Sequence, residues 1–450
     1  MRMEFAGQSA KDASNPTGNP CRLINGYREP MIAGGRAGSV LRGVPGMNEF
    51  ATISSVFMRA LSVWSGQFLA ICGNSLYSIT GAGVVTLIGD VNSADGICGL
   101  DQSFSIAVMV SNRKYRTWNG TTLSLVATGA ITLPASVAYL GGYTIVSQYQ
   151  ARQFGWSALA DPTTWSGLDV ASAEITDEPI IRVVAFKDAL YIFKASGYER
   201  WAVTGLAGPD AFQRIDGAQG EPGLLAYGLI TTFPNGLTYI GGDGRVHVFG
   251  AGPISTPPLE VAISQSAPIS MFFYEQRGHG FICIAFSDRP AWCYDVATGE
   301  WHERSQDNEA WQARATAKFN GAWYVGTDAG KIAMLGNTCA DFGDPLVRRY
   351  ISRTLDRSER FVIDKIEAFP RPANDTQGDG DTSEAKVSLS MSRDGTLWSA
   401  PKARPVGAAG NYANSVTWRA LGQFRRATAE LSLSSVTDIP LLAEIDIEVS

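Results

Sequence analysis

The chain has 450 residues, of which 45% are apolar and 18% charged, which excludes a disordered chain and leaves room for a large core. Its 37 basic and 43 acidic residues give a net charge of −6, which argues against a dedicated nucleic-acid binder with a basic face. A protein that surrounds DNA without gripping it is not excluded.

In chain order, the first twenty residues, MRMEFAGQSAKDASNPTGNP, are small and polar. They lack the basic stretch and apolar run of a secretory signal and read as an arm, residues 1–20, that orders only against a partner. No apolar run of about 18 residues follows anywhere, so no transmembrane helix is expected. The chain is expected to be made in a cytosol and not exported by the general route. Its six cysteines (Cys21, Cys72, Cys98, Cys283, Cys293 and Cys339) contain no C-x-x-C pair. Reduced, mostly buried thiols are therefore expected, with Cys283 and Cys293 on neighbouring strands.

From there, short alternating runs dominate, each ending in turn residues, and helical periodicity is nearly absent. SGQFLAICGNSLYSITG (65–81) reads as strand, Gly73-Asn74 turn, strand. The next turns fall at Asn112-Arg113, near Ala151, at Ser196-Gly197, at Asp243-Gly244, at Asp288-Arg289 and near Ala329. Consecutive turns lie 38–47 residues apart, the spacing of propeller blades with four short strands each. One such sheet cannot bury both faces, whereas a closed ring of them can. The spacing predicts a β-propeller of about seven blades over residues 21–344; two stacked β-sandwiches are the alternative. WD and kelch signatures are missing.

Near residue 345 the pattern changes. The charge-rich segment GDPLVRRYISRTLDRSER (343–360) is followed by longer strands: FVIDKIEAF, AKVSLSMSRDGTLWSAP, SVTWRALGQF, RATAELSLSSV and IPLLAEIDIEV. This predicts a separate antiparallel β-sandwich domain over residues 345–450. The loop 371–384, RPANDTQGDGDTSE, is polar and reads as a mobile connection.

Candidates for chemistry are few. TYIGGDGRVHVFG (238–250) gathers glycines, an aspartate and one of only three histidines. With Asp243-Gly244 as a two-residue turn, Ile240 faces His247, Tyr239 faces Val248, and the histidine lies on a sheet face without a partner. His279 and His302 are scattered, and no H-x-x-x-H or H-E-x-x-H spacing links any of the three. No G-x-S-x-G elbow marks a serine nucleophile. GTDAGKI (326–332) imitates a phosphate loop but places Ile332 where Ser or Thr must hold the metal, so it reads as a hairpin. Asp375, Asp379, Asp381 and Glu384 are close enough to bind calcium, without the ligand order of an EF-hand. Asn119-Gly120-Thr121 is a glycosylation sequon by letter and a turn by context. Arg348, Arg349, Arg353, Arg357 and Arg360 are expected to pair with acids at a domain or subunit junction, the alternative being contact with DNA phosphates. No catalytic, metal or cofactor-binding residue is assigned, and no enzyme activity is expected.

Several segments follow one another in a familiar order: RLINGYREP (22–30), LRGVPGMNEFATI (41–53), LYIFKASGYERWAVTGLAGPDAFQRIDGAQGEPGL (190–224), VHVFGAGPISTPPLEVAI (246–263) and AWCYDVATGEWHER (291–304). The most specific part is Tyr198-Glu199-Arg200-Trp201 with Thr204-Gly205, then the 217–223 loop, then Ile254-Ser255-Thr256 before Leu259-Glu260. In these the chain resembles the packaged-DNA stabilisation proteins, also called tail nozzle or tail accessory factors, of short-tailed bacteriophages. The resemblance implies a propeller with an added β domain, and a structural virion protein. It implies a homo-oligomeric ring, a hexamer in the relatives, below the portal and its head-to-tail adaptor. Such a ring extends the tail tube, meets a plug or needle and tail spikes or fibres, retains the packaged double-stranded DNA and forms its ejection channel. Assembly would take place in the host cytoplasm. The alternatives are a carbohydrate-binding or carbohydrate-cleaving propeller of the tail, and a propeller scaffold that binds host proteins.

Overall fold

Each of the seven expected turns is the middle turn of a four-stranded antiparallel sheet. The structure, a computed structural model, describes residues 2–11, 20–31, 38–92, 98–306, 309–371, 385–407 and 414–450. Blade one comprises Met58–Trp64, Gln67–Cys72, Ser75–Ile79 and Val85–Asp90; blade two, Cys98–Ser103, Ile106–Ser111, Lys114–Trp118 and Leu123–Leu125. Blade three runs from Pro134–Leu140 through Tyr143–Gln148 and Gln153–Ala158 to Asp161–Ser172. Blade four is Arg182–Phe186, Ala189–Phe193, Tyr198–Val203 and Phe212–Arg214; blade five, Ile230–Phe233, Gly236–Ile240, Val246–Val248 and Gly252–Pro253. Blade six holds Ser270–Gln276, His279–Ala285, Ala291–Asp295 and Glu300–Gln306.

Blade seven closes the ring. Ala313–Phe319, Ala322–Thr327 and Lys331–Leu335 lack a fourth strand of their own, and Met47–Thr52 supplies it, with Ile332 opposite Ala51 and Met334 opposite Asn48. The chain thus closes the propeller with a strand from ahead of blade one, which removes the open edge that a simple run of blades would leave. Aromatic pairs fill the seams: Phe68 with Tyr324 at 4.9 Å between blades one and seven, Phe154 with Trp201 at 5.0 Å between three and four, and Phe193 with Tyr239 at 5.0 Å between four and five. Such tilted and edge-on contacts add to the area that these large rings bury. The first strands of the blades surround a central cavity of about 710 Å³.

The C-terminal unit is a β-sandwich. Its first sheet joins Arg2–Glu4, Glu444–Val449, Leu355–Ala368 and the first half of Val416–Ser434. The second joins Val347–Ile351, the second half of Val416–Ser434, Lys386–Ser392 and Lys402–Pro405. The segments SVTWRALGQF and RATAELSLSSV, expected as two strands, are one strand of 19 residues that serves both sheets. Ala420 and Gly422 take positive φ (53° and 103°), so the chain bends there without turning back. Between the sheets lie Phe361, Ile366, Leu389, Trp418, Leu431 and Ile445, all nearly closed to solvent.

The arm departs from expectation. Of its described residues, Arg2–Glu4 pair with Glu444–Val449, and Phe5 and Ala6 are fully buried in the sandwich core. Residues 2–6 are therefore part of a domain and do not wait for a partner, because the edge strand and the aromatic ring have an intramolecular place to go. Residues 12–19 of the arm, and the four candidate calcium ligands Asp375, Asp379, Asp381 and Glu384, lie outside the described residues.

Candidate functional site: the domain junction and the polar clusters around it

The strand Arg22–Ile24 ties the two units together. It runs antiparallel to Val347–Ile351, with Leu23 opposite Tyr350, and meets blade six in a parallel bridge from Ile24 to Glu303. The blade-six sheet therefore continues into a sandwich sheet. The hairpin of Gly26–Pro30 and Ser39–Gly43 then pairs with Leu441–Leu442, so the segment from 22 to 43 binds to both units.

Charge gathers where these sheets meet. Arg22 forms a two-pronged pair with Glu303, its Nε 2.8 Å from Oε1, and Arg349 forms one with Glu430 at 2.9 and 2.7 Å. Asp438 is the centre. Its Oδ1 accepts the Gly43 amide at 2.9 Å and lies 3.3 Å from Arg348 Nη1; its Oδ2 accepts Arg277 Nη1 at 2.5 Å and faces Arg42 Nη1 at 3.4 Å. Arg348 is fully buried and also donates to the Thr437 carbonyl at 3.1 Å. A buried guanidinium is tolerated only when it is paired in this way, here through Nη1 and Nη2. Close by, the buried Arg304 lies over the Trp311 ring at 3.7 Å and donates to the Pro45 carbonyl.

The five arginines of the charge-rich segment thus divide. Arg348 and Arg349 pair with acids at the domain junction, whereas Arg353, Arg357 and Arg360 are exposed. Sequence spacing could not name their partners, since Glu430 and Asp438 lie more than 80 residues away. The only signal was a surplus of arginines with too few acids beside them.

The hairpin of residues 238–250 has a different register from the expected one. Tyr239 faces His247 and Ile240 faces Val246, so the loop holds three residues, not two. Gly244 N donates to the Gly241 carbonyl at 2.9 Å, Gly241 N donates to the Arg245 carbonyl at 2.8 Å, and Gly244 takes φ +77°. That is the three-residue hairpin with a left-handed glycine at its end. The shift moves His247 to the face of Tyr239, against which it stacks at 5.6 Å. Its Nε2 lies 3.0 Å from Asp243 Oδ2. The histidine, expected on a sheet face without a partner, therefore has a carboxylate partner.

The other histidines belong to blade six. His279 Nδ1 lies 2.7 Å from Asp295 Oδ2, both groups being buried. Burial works to raise the Asp295 carboxyl, but the His279 contact outweighs it and holds the acid below its ordinary value. His302 sits opposite Cys293, itself opposite Cys283, with the two sulfurs 2.9 Å apart and both thiols free. Burial pushes Cys283 well above the ordinary thiol value. The sequence GTDAGKI forms the turn between Ala322–Thr327 and Lys331–Leu335, with Ile332 fully buried. Asn119 Oδ1 accepts the amides of Thr121 and Thr122 at 2.9 and 2.8 Å, an Asx turn. Among the described residues, no group of three or more His, Cys, Asp or Glu is placed to hold a metal ion. No helix among them is long and apolar enough to cross a membrane.

In the central cavity Asp101 accepts the amides of Gln102 at 2.8 Å and Tyr139 at 2.9 Å. Burial raises its carboxyl to about 6 against the pull of those amides.

Both units match known families, in chain order. Residues 20–340 match the family described as "Bacteriophage P22 Gp10, beta-propeller", and residues 352–429 match "Bacteriophage P22 Gp10, beta-sandwich". The chain belongs to the bacteriophage P22 Gp10 family. It is a member of the packaged-DNA stabilisation, or tail nozzle, family and a structural protein of a phage tail. A search of curated proteins gave no match. Among solved structures, the computationally designed Ika8 protein is similar at TM-score 0.41 and 12% identity, over 64% of this chain and 99% of that one. The WD40 propeller domain of Doa1 is similar at TM-score 0.42 and 11% identity, over 64% and 96%. The blade count rests on the strand pairing and not on these likenesses.

Proposed function

We propose that this Gp10-family chain forms a ring below the portal and adaptor, extends the tail tube, stabilises the packaged DNA and lines the path of its ejection. The hexamer of the relatives is the expected copy number, with a plug or needle and tail spikes or fibres as further partners and no catalytic role. Assembly is expected in the host cytoplasm. The observation that carries this reading is the ordered match of both units to one tail-protein family over most of the chain.

In this reading the DNA runs in a lumen between subunits, which a closed ring of heterologous contacts supplies. A mildly acidic chain suits it, because many phosphate contacts would hinder sliding.

The test is to purify the chain alone and with its portal–adaptor neighbour and to weigh the particles by native mass spectrometry. A ring of defined copy number that docks onto the connector is expected. A monomer that ignores the connector and binds or cleaves glycans would sink the proposal.

A further inference from the structure

Two surface clefts of opposite charge lie outside the domain junction. The first is on the sandwich, where Leu355–Ala368 bulges away from Val416–Ser434. Asp356 faces Arg426 and Phe361 faces Phe424, so residues 357–360 stand against a single residue, Arg425, and must loop outward. The cleft beneath them, about 730 Å³, is walled by Arg357, Arg360, Arg393, Arg425 and Arg426. Of these only Arg426 has a carboxylate partner among the described residues, Asp356 at 2.9 Å. Arg357 lies over the Phe361 ring at 5.3 Å and Arg393 over Phe424 at 5.5 Å, which holds both cations at the surface. An apolar groove of about 400 Å³ shares Arg393 and Phe424 with it and carries Leu397, 78% exposed.

The second cleft, about 650 Å³, joins blades four and five of the propeller. Glu178, Glu221 and Asp243 supply its charge, and Pro222, Leu224 and Leu225 its apolar wall, Leu225 being 41% exposed. Glu178 is fixed by the Ser196 amide and hydroxyl at 2.9 and 2.7 Å, and Asp243 by His247.

We propose that these clefts are the two halves of one contact between copies of this chain: the arginine cleft of one subunit receives the acidic propeller edge of the next. The inference rests on the ring reading above and names its surfaces. A ring needs two different, complementary faces on each subunit, and here are two of similar size and opposite charge. The charge balance agrees, since residues 345–450 carry 14 basic and 14 acidic residues whereas residues 1–344 carry 23 and 29. Duplex DNA fits the first cleft less well. Its phosphates would meet the arginines, but its backbone has nothing apolar to bury beside Leu397. A protein edge with Pro222 and Leu225 behind its carboxylates satisfies both parts, in the usual arrangement of arginine and apolar anchors.

The experiment uses the full chain, checked for folding by thermal melting, and reads particle mass against concentration. The arginine-face variant is Arg357→Glu/Arg360→Glu; the acid-face variant is Glu178→Lys/Glu221→Lys; Leu397→Ser tests the apolar groove without touching charge. Each is expected to need at least about tenfold more protein than the unaltered chain to form rings. Mixing the arginine-face and acid-face variants should restore rings of alternating subunits, because every junction in them is either intact or reversed on both sides. Combining all four charge reversals in one chain should restore assembly. Normal rings from both single-face variants would overturn the inference and leave the ring standing. An unaltered chain that never associates, alone or on the connector, would remove the ring reading and the inference with it.

Discussion

Asp438 and Arg348 face each other 3.3 Å apart, Oδ1 to Nη1, at a point closed to solvent where sandwich and propeller meet. Arg277 from blade six and Arg42 from the N-terminal segment reach the other oxygen of the same carboxylate. One acid thus answers cations from three separate stretches of chain. Removing it leaves a buried guanidinium unpaired, which costs far more than the intact pair contributes. Asp438→Asn is expected to destabilise the protein by about 3–5 kcal/mol. Thermal melting of Asp438→Asn, Arg348→Met and the double variant checks this. The double variant should cost less than the sum of the two, since each single change strands the other partner. Strict additivity would mean that the two groups do not act as a pair.

Phe5 gives a second expectation. Its ring is fully buried in the sandwich core, although it lies only five residues from the start of the sequence. Phe5→Ala should cost about 3–5 kcal/mol, the usual loss for a large buried ring. Hydrogen exchange of the sandwich strands across a urea series, read by mass spectrometry, reports on the same unit. A loss below about 1 kcal/mol would return this segment to the status of a free arm.

The repeat was legible because every blade but the third places Gly, Asn or Asp at its middle turn, and turn chemistry is local. The sandwich was legible because its strands alternate. Three things were not. The strand Met47–Thr52 completes blade seven from across the whole ring, and nothing local marks a strand whose partner lies about 280 residues away. The burial of Phe5 was hidden because its neighbours are small and polar, and composition says nothing of where a short segment docks. The register at Asp243 was missed because Asp-Gly suits both two- and three-residue loops. The choice falls to the three-residue loop, which lets Gly242 donate to the Gly223 carbonyl at 3.1 Å, a contact outside the hairpin. For the arginines, sequence supplied the cations and only the fold supplied the acids.

Asp101 provides a pH expectation. Its carboxyl is raised by burial from 3.8 to about 6, so the fold favours the protonated form. The contribution is complete below the ordinary value near 3.8 and is lost as pH climbs through about 6. A shift of this size corresponds to at most about 3 kcal/mol, and partial exposure reduces it to about 1–2 kcal/mol. Asp101→Asn should therefore match the unaltered chain near pH 4 and exceed its stability by about 1–2 kcal/mol above pH 7. Melting temperatures between pH 4 and 8 decide it. Parallel curves for the two proteins would show that Asp101 titrates at its ordinary value.

The hairpin of residues 238–250 separates backbone geometry from side-chain chemistry. Gly244 takes φ +77° in a loop where an added Cβ would meet no atom, so the only obstacle to a larger residue is the backbone itself. A β-branched residue resists that conformation most, and Gly244→Val should cost about 1–3 kcal/mol. Gly244→Asn, which tolerates left-handed backbone, should recover most of the loss. His247→Ala removes the stack on Tyr239 and the contact with Asp243, whose carboxylate is 37% exposed and therefore screened. About 1 kcal/mol is expected from that change, since partly exposed pairs contribute little. If the region serves the scaffold, melting temperature and ring assembly should fall together across the three variants, with Gly244→Val lowest. A His247→Ala protein that melts and assembles normally but yields non-infectious particles would instead place chemistry at the histidine.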